Sequence, residues 1–351
     1  MKLTREIREL SDGLKTAFEG SDVTNRVRDF EGWTDRASRE DEADERYDHT
    51  RTVQEYYDLC TGFMVWGWGE SLHFAPLSPD EGLEDSKIRL QRLMISKLEL
   101  RPGMTVVDIG CGIGGPMRRV AREAGVRVVG INASEVQRNR ARRLNAAAGL
   151  ADMTDCLQCS FMDMSAIADQ TFDRGYAIES TCHADDKAAA FTEIYRVLKP
   201  GALFWGHEMC MTDEYDPGSR RHRAIKRELM RGIALKEIAT FREVNQALAT
   251  AGFEVLESGD LAAHEYRLDT PWYQPMETPR GLPGGALRRI PLVRRAMRWG
   301  VRMAEFFGAF PRGSAEVVAL LDRTGNAYVA GGKAGVFTPL YCFLARRPLS
   351  G

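Results

Sequence analysis

From residue 104 onward, short apolar runs alternate with longer amphipathic ones, the period switching between two and about 3.6 residues. The runs at 104–109, 126–131, 155–159, 172–178, 202–209 and 253–258 predict six strands, with helices between them. Lys199-Pro200-Gly201 predicts a stop between a helix ending at Leu198 and the fifth strand. A last apolar run, Leu340-Tyr341-Cys342-Phe343-Leu344-Ala345, predicts a seventh strand returning after a long interval. Strands alternating with helices predict an α/β class, a Rossmann-like seven-stranded and largely parallel sheet. Residues 53–261 plus 337–348 would form that domain, and 262–336 an inserted substrate- or lipid-facing subdomain.

Two segments depart from this rhythm. Residues 1–52 are polar and charge-dense, including Arg39-Glu40-Asp41-Glu42 and Asp44-Glu45-Arg46, and predict a solvated surface helix or arm. Just beyond, Tyr56, Tyr57, Phe63, Trp66, Trp68 and Phe74 crowd together. Within 288–302, Arg288, Arg289, Arg294, Arg295, Arg298 and Arg302 interleave with Ile290, Leu292, Val293, Met297, Trp299 and Val301. That pattern predicts a basic amphipathic helix after Pro291, suited either to peripheral contact with an anionic membrane or to packing on its own domain.

Composition narrows the setting. The 351 residues are 44% hydrophobic and 28% charged, as in a folded soluble domain, and the net charge of −2 gives no pull toward nucleic acid. Seven cysteines in apolar surroundings suggest no disulfide framework and a reducing, cytoplasmic setting. Cys156 and Cys159 have the spacing of half a zinc site, but no second pair completes it, so no metal is expected. No signal peptide is evident, and no apolar run reaches the roughly 20 residues of a membrane span. A homo-oligomer stays open.

After the first strand comes Asp108-Ile109-Gly110-Cys111-Gly112-Ile113-Gly114-Gly115, leading into a helix near Pro116. Glycines permit a sharp turn and close approach to a ligand, and the helix start supplies N–H donors and partial positive charge. A glycine-rich loop alone also suits a dinucleotide oxidoreductase. Asp108 separates the two, because a carboxylate there would repel a pyrophosphate and attract an amino group. Asn132, at the second strand's end, can bond ribose hydroxyls, and Asp163 beside Met162 can receive an adenine amino group.

With Asp173 and Leu198-Lys199-Pro200-Gly201, this pattern resembles class I S-adenosylmethionine-dependent methyltransferases. That resemblance implies S-adenosylmethionine held by Asp108, Gly110, Cys111, Gly112, Gly114, Asn132, Gln137, Met162, Asp163 and Ala177. Further motifs are Tyr56-Tyr57-Asp58-Leu59, Trp66-Gly67-Trp68-Gly69-Glu70-Ser71-Leu72-His73-Phe74 and Tyr176-Ala177-Ile178-Glu179-Ser180-Thr181-Cys182-His183-Ala184. Met211-Thr212-Asp213-Glu214-Tyr215-Asp216, Pro271-Trp272-Tyr273, Val329-Ala330-Gly331-Gly332-Lys333 and Phe337-Thr338-Pro339 complete the set. Together they resemble the sterol C-24 methyltransferase family over residues 53–348. The resemblance implies an inserted α+β subdomain and a sterol or related isoprenoid lipid as substrate.

Members of that family methylate an unactivated side-chain alkene through a tertiary carbocation, a hydride shift and loss of a proton. A cation in a dry site needs a π face or carboxylate nearby. Trp66, Trp68, Phe74, Tyr176 and Trp205 are candidates for the aromatic wall, those in strands being equally explained as core, and Tyr57 lies in a matching motif. Glu179 with His183 is the first candidate base, Glu208 the next, and His73 a partner. One departure stands out: the family's Tyr-Glu-Tyr-Gly-Trp-Gly reads Met64-Val65-Trp66-Gly67-Trp68-Gly69 here, so the choice among sterols, other triterpenoids and prenyl lipids stays open.

Overall fold

The computed structural model describes residues 2–37, 48–78, 81–262, 270–277 and 291–349. The charge cluster at 39–46 and the residues Arg288, Arg289 and Ile290 lie outside them. The chain divides into two compact units, one of Met1–Gly69, Asp216–Glu237 and Tyr273–Ala334, the other of Glu70–Tyr215, Ile238–Trp272 and Gly335–Gly351.

The second unit holds the whole sheet. Its strands are β1 (Thr105–Ile109), β2 (Arg127–Asn132), β3 (Thr154–Gln158), β4 (Phe172–Ile178), β5 (Leu198–Met211), β6 (Glu254–Asp260) and β7 (Phe337–Arg346). They lie in the order β3-β2-β1-β4-β5-β7-β6. All neighbours are parallel except β7, which runs antiparallel to β5 and β6. All seven expected strands are present. Valines and isoleucines at Val106, Val107, Val128, Val129 and Ile131 favour the pleated surface, and both faces are covered, so the central strands are apolar throughout.

The helix before Lys199-Pro200-Gly201 stops as expected, at Val197, but the strand begins at Leu198, so these three residues form an excursion within β5. The pairing register jumps from Phe172↔Leu198 to Arg174↔Leu203, and Gly201 takes φ +79°, which a side chain would strain. One side of the sheet packs Val107, Ile109, Phe172, Phe191, Phe204 and Phe343. The other packs Val106, Val128, Met117, Tyr176, Trp205 and Leu344. Strand order reverses at the β1–β4 junction, where open α/β sheets leave a crevice at their carboxyl ends.

The first unit is helical: α1 (Lys2–Ala17), α2 (Val23–Ala37), α3 (His49–Trp68), α8 (Arg220–Gly232), α10 (Pro291–Phe306) and α11 (Ser314–Lys333). Helices α4 (Leu83–Lys97), α5 (Gly115–Ala124), α6 (Glu135–Ala147), α7 (Lys187–Val197) and α9 (Phe241–Thr250) belong to the sheet unit. Residues expected as a solvated arm thus include structural helices. Leu14, Phe18, Val23, Val27 and Phe30 recur at helical spacing and are buried, and Phe30 stacks on Tyr56 with ring centroids 5.8 Å apart. Asp48 caps α3 by accepting the Arg51 N–H.

Among the described residues of 262–336 the regular elements are helices, not the mixture with strands that was expected. Thr270 makes only an isolated bridge, to Leu77. Arg294, expected on a basic outer face, is buried in an ion pair with Asp322 at 2.7 Å. No described helix is long and apolar enough to cross a membrane.

Candidate active site

The glycine loop leaves β1 where the crevice opens. Gly110 (φ +75°) passes so close to Ser180 that a Cβ there would meet the Ser180 Cβ at 2.3 Å. Gly112 (φ +53°) faces open space, with nothing within 4 Å of the position a Cβ would take. Gly114 takes the left-handed conformation at the start of α5 and supplies no side-chain cap, leaving that helix's first N–H groups for a ligand. Open space, a bare helix start and a buried acid are a fit for an amino-acid-bearing cofactor.

Asp108, the acid, is 3% exposed and accepts the Tyr176 hydroxyl at 2.9 Å. Burial pushes its carboxyl up to about 7, with the Tyr176 bond pulling the other way. Cys111 packs over Gly130, where a Cβ would lie 2.6 Å from its Sγ. Asn132 is largely spent on the protein: its amide donates to Gly112 O at 2.9 Å and Gln137 Oε1 at 3.1 Å, while its oxygen accepts Ser134 N at 2.9 Å. It and Gln137 therefore brace the loop against α6. Met162 is half-buried and Asp163 exposed, the latter bonded to Ser165 N at 3.0 Å, and Ala177 is buried in the sheet core beside Ile109.

Glu179 follows β4 directly and takes φ +49°, a conformation costing a non-glycine residue about 1 kcal/mol. Such strain persists where surroundings over-determine it. Here the Glu179 N–H donates to His207 O at 2.7 Å, and Glu179 Oε1 accepts the Phe74 N–H at 2.6 Å. His207 Nε2 lies 3.7 Å from Glu179 Oε1, with its ring 6.1 Å from that of His73. Burial, aided by nearby Glu208, holds the Glu179 carboxyl well above the usual range, against the pull of the Phe74 N–H and Lys87. Burial pushes His207 down to about 4, partly offset by the nearby Pro339 carbonyl, to which the ring makes no well-formed hydrogen bond. Burial thus favours the neutral form of both members of the pair.

His207 was not foreseen, although Glu208 beside it was. Alternation along β5 sends the two to opposite faces. Glu208, 0% exposed, accepts the Thr181 hydroxyl and pairs with Lys187 Nζ at 3.3 Å, which also donates to Thr181 O at 2.9 Å. That arrangement clamps the turn Thr181–His183 instead of offering a free carboxylate. His183 lies buried in this turn, whereas the histidines gathered around Glu179 are His73 and His207. Two-fold alternation in Gly206-His207-Glu208 separates the two side chains, and it is the pairing with β4 that sets His207 beside Glu179.

Of the aromatic candidates, Phe74 lies beside Glu179 and meets Trp272 edge-on at 5.2 Å, and Trp272 meets Phe337 at 5.9 Å. Tyr176 and Trp205 are core, one bonded to Asp108 and the other packed with Leu203 and Leu344. Tyr57, Trp66 and Trp68 lie on α3 in the helical unit, all half-buried.

His73, Glu179 and His207 offer ligand atoms within 4.8 Å of one another, so the cluster has to be weighed as a metal site. His73 argues against it. Its Nδ1 lies 2.6 Å from Phe74 O and so donates, while Nε2 receives the Gln91 amide at 2.8 Å. Gln91 is fixed in that orientation because its oxygen accepts Arg119 Nε at 2.9 Å. With both His73 nitrogens engaged, a metal would have only Glu179 and His207.

Comparison with known proteins places this geometry. Residues 44–281 match the mycolic acid cyclopropane synthetase family model, and 286–349 match the sterol methyltransferase C-terminal model. The chain is 39% identical to the cycloartenol-C-24-methyltransferase 1 of Oryza sativa subsp. japonica, over 97% of this chain and 98% of that one. It is 36% identical to the sterol 24-C-methyltransferase of Saccharomyces cerevisiae, over 93% and 85% of the two chains. Among solved structures, a mycolic acid cyclopropane synthase complexed with S-adenosylhomocysteine superposes with TM-score 0.66 at 21% identity, covering 86% of this chain and all 100% of the other. The geranyl diphosphate C-methyltransferase of Streptomyces coelicolor gives TM-score 0.60 at 17% identity, covering 86% and 98%. These structures share the fold, and the near full-length relatives make this chain a member of the sterol C-24 methyltransferase family.

Proposed function

We propose that the chain is an S-adenosylmethionine-dependent C-methyltransferase acting at C-24 of a sterol side-chain alkene. The observation that carries this reading is the buried Glu179–His207 pair beside Phe74 and Trp272, in the unit that also holds the glycine loop. The cofactor, when bound, supplies an electrophilic methyl group. Gly110, Gly112 and Gly114 shape the backbone that receives it, the start of α5 takes its carboxylate, and Asp108 takes its amino group. Asn132 and Gln137 hold the loop in place, with Met162 and Asp163 on the adenine side.

The alkene's π electrons form the new carbon–carbon bond to the methyl group as its bond to sulfur breaks and that electron pair stays on sulfur, and the tertiary cation left behind is relocated by a hydride shift. Loss of a neighbouring proton then restores a double bond. Phe74 and Trp272 offer π faces to that cation and keep water from it. As the cation forms, Glu179 passes its own proton to the neutral imidazole of His207, and the carboxylate so exposed takes the proton that the substrate loses. His73 orients the pair from its fixed bonds to Phe74 and Gln91. Lys187, Glu208 and Thr181 position the turn after Glu179.

The test is incubation of purified protein with methyl-labelled S-adenosylmethionine and a panel of Δ24-sterols, with other triterpenoid and prenyl alkenes alongside. Label at carbon in a sterol side chain is expected. Transfer only to a non-sterol alkene would replace the substrate, and no transfer to carbon in any would overturn the activity.

A further inference from the structure

We propose that the outward face of α10 docks on an anionic lipid bilayer, a reading that rests on a lipid acceptor for its purpose but not for its evidence. Arg294 and Val301 mark the inward face, at 8% and 6% exposure, and Arg294 is tied to Asp322 and to Asn326 at 2.6 Å. Glu305 is also turned to its own unit, accepting the Ala315 N–H at 2.7 Å. Opposite stand Leu292, Trp299 and Phe306, exposed by 75%, 68% and 80%, followed by Phe307 at 74%. The other exposed large apolar side chains among the described residues, Leu349 apart, are less than half exposed.

Leu292, Trp299 and Phe306 are seven residues apart, which brings them round to within about 20° of one line per step. Arg295, Arg298 and Arg302 are exposed along one side of that line. The helix therefore presents an apolar stripe flanked by guanidinium groups, over 16 residues or roughly 24 Å. Such a surface costs free energy in water and is suited to an interface where the rings enter the acyl boundary and the arginines reach phosphates. The length and the five charged residues keep it in the plane of the bilayer instead of across it. A second copy of the chain is a poorer occupant, because antiparallel two-fold pairing of this face would bring like-charged arginine rows together and parallel pairing would leave each row without an anionic partner.

Flotation with phosphatidylcholine vesicles, with and without phosphatidylserine, tests this. The wild-type protein should float with phosphatidylserine-containing vesicles and release as salt is raised. Changing Arg295, Arg298 and Arg302 to Gln should weaken that binding by about fivefold per arginine. Trp299→Ser with Phe306→Ser should weaken it on both compositions, while S-adenosylhomocysteine affinity and the melting transition stay unchanged in both variants. Vesicle binding that neither variant alters, or no vesicle binding with a dimer that Trp299→Ser dissolves, would overturn the proposal. Methyl transfer to detergent-dispersed sterol, measured in parallel, reports on the catalytic reading alone and is expected to survive both variants.

Discussion

Glu179→Gln separates the proposed chemistry from the architecture. The amide keeps the side chain's size, and its oxygen can still accept the Phe74 N–H now bonded at 2.6 Å. The capacity to hold and release a proton next to His207 is what disappears. A positioned acid or base contributes about 10²–10⁴-fold, so kcat should fall by that order and kcat/KM with it, while S-adenosylhomocysteine affinity holds. Quenched-flow or steady-state transfer to a Δ24-sterol reads the first, and calorimetry the second.

The same substitution has a stability signature of fixed sign. The folded protein keeps a proton on Glu179 that the unfolded chain sheds above about 4.5. The folded state therefore binds more protons. Glu179's contribution is fully present below that pH and is lost at about 1.4 kcal/mol per pH unit as pH rises toward the folded value. Glutamine cannot titrate, so denaturant melts should find the variant close to wild type in acid and more stable at neutral pH. Unchanged turnover, or a variant no more stable at neutral pH than in acid relative to wild type, would refute this account of Glu179.

Gly112→Ala should cost about 1 kcal/mol of folding stability for its left-handed backbone, since nothing within 4 Å opposes the methyl. It should nevertheless weaken S-adenosylhomocysteine roughly tenfold, as one lost close contact does, and an unaltered Kd by titration calorimetry would move the cofactor elsewhere. Asp108, raised by burial to about 7, should make cofactor binding tighten as pH rises toward that value, and Asp108→Asn should flatten the profile. A pH-independent wild-type Kd would count against the Asp108–amino contact. Lys187→Met leaves the 0%-exposed Glu208 without its cation and should destabilise the fold by roughly 3 kcal/mol, with Glu208→Gln in the same background restoring part of it. Additive losses in thermal melts would show that the two do not act as a pair.

The sheet was legible because its signals are local. β-branched runs, a glycine loop and a returning apolar strand each declare themselves within a few residues. Glu179 was legible for the same reason, standing where a strand ends. His207 was not, because its role depends on which face of β5 it occupies and on a β4 neighbour that the sequence does not align with it. The N-terminal helices were hidden by dense charge around sparse apolar positions, Leu14, Phe18, Val23, Val27 and Phe30, whose spacing matters more than their number. Arg294 shows the converse: an arginine in a basic run reads as solvated, yet Asp322, distant in sequence, takes it inside.

The two carboxylates of this site illustrate how environment divides labour between identical groups. Glu208 has a lysine and a hydroxyl within reach and is tied into the turn after Glu179. Glu179 has a single N–H and a neutral histidine, so burial keeps it protonated until something positive comes near. A carbocation is such a charge. As it forms, it favours the ionised carboxylate by direct attraction in a medium that screens poorly, and the displaced proton has an acceptor 3.7 Å away in His207. The acid would then be poised by the intermediate itself, available when the cation exists and silent when it does not. An active site that responds in this way needs no permanent anion facing the donor, and it leaves the resting pocket dry and neutral enough to receive an apolar chain.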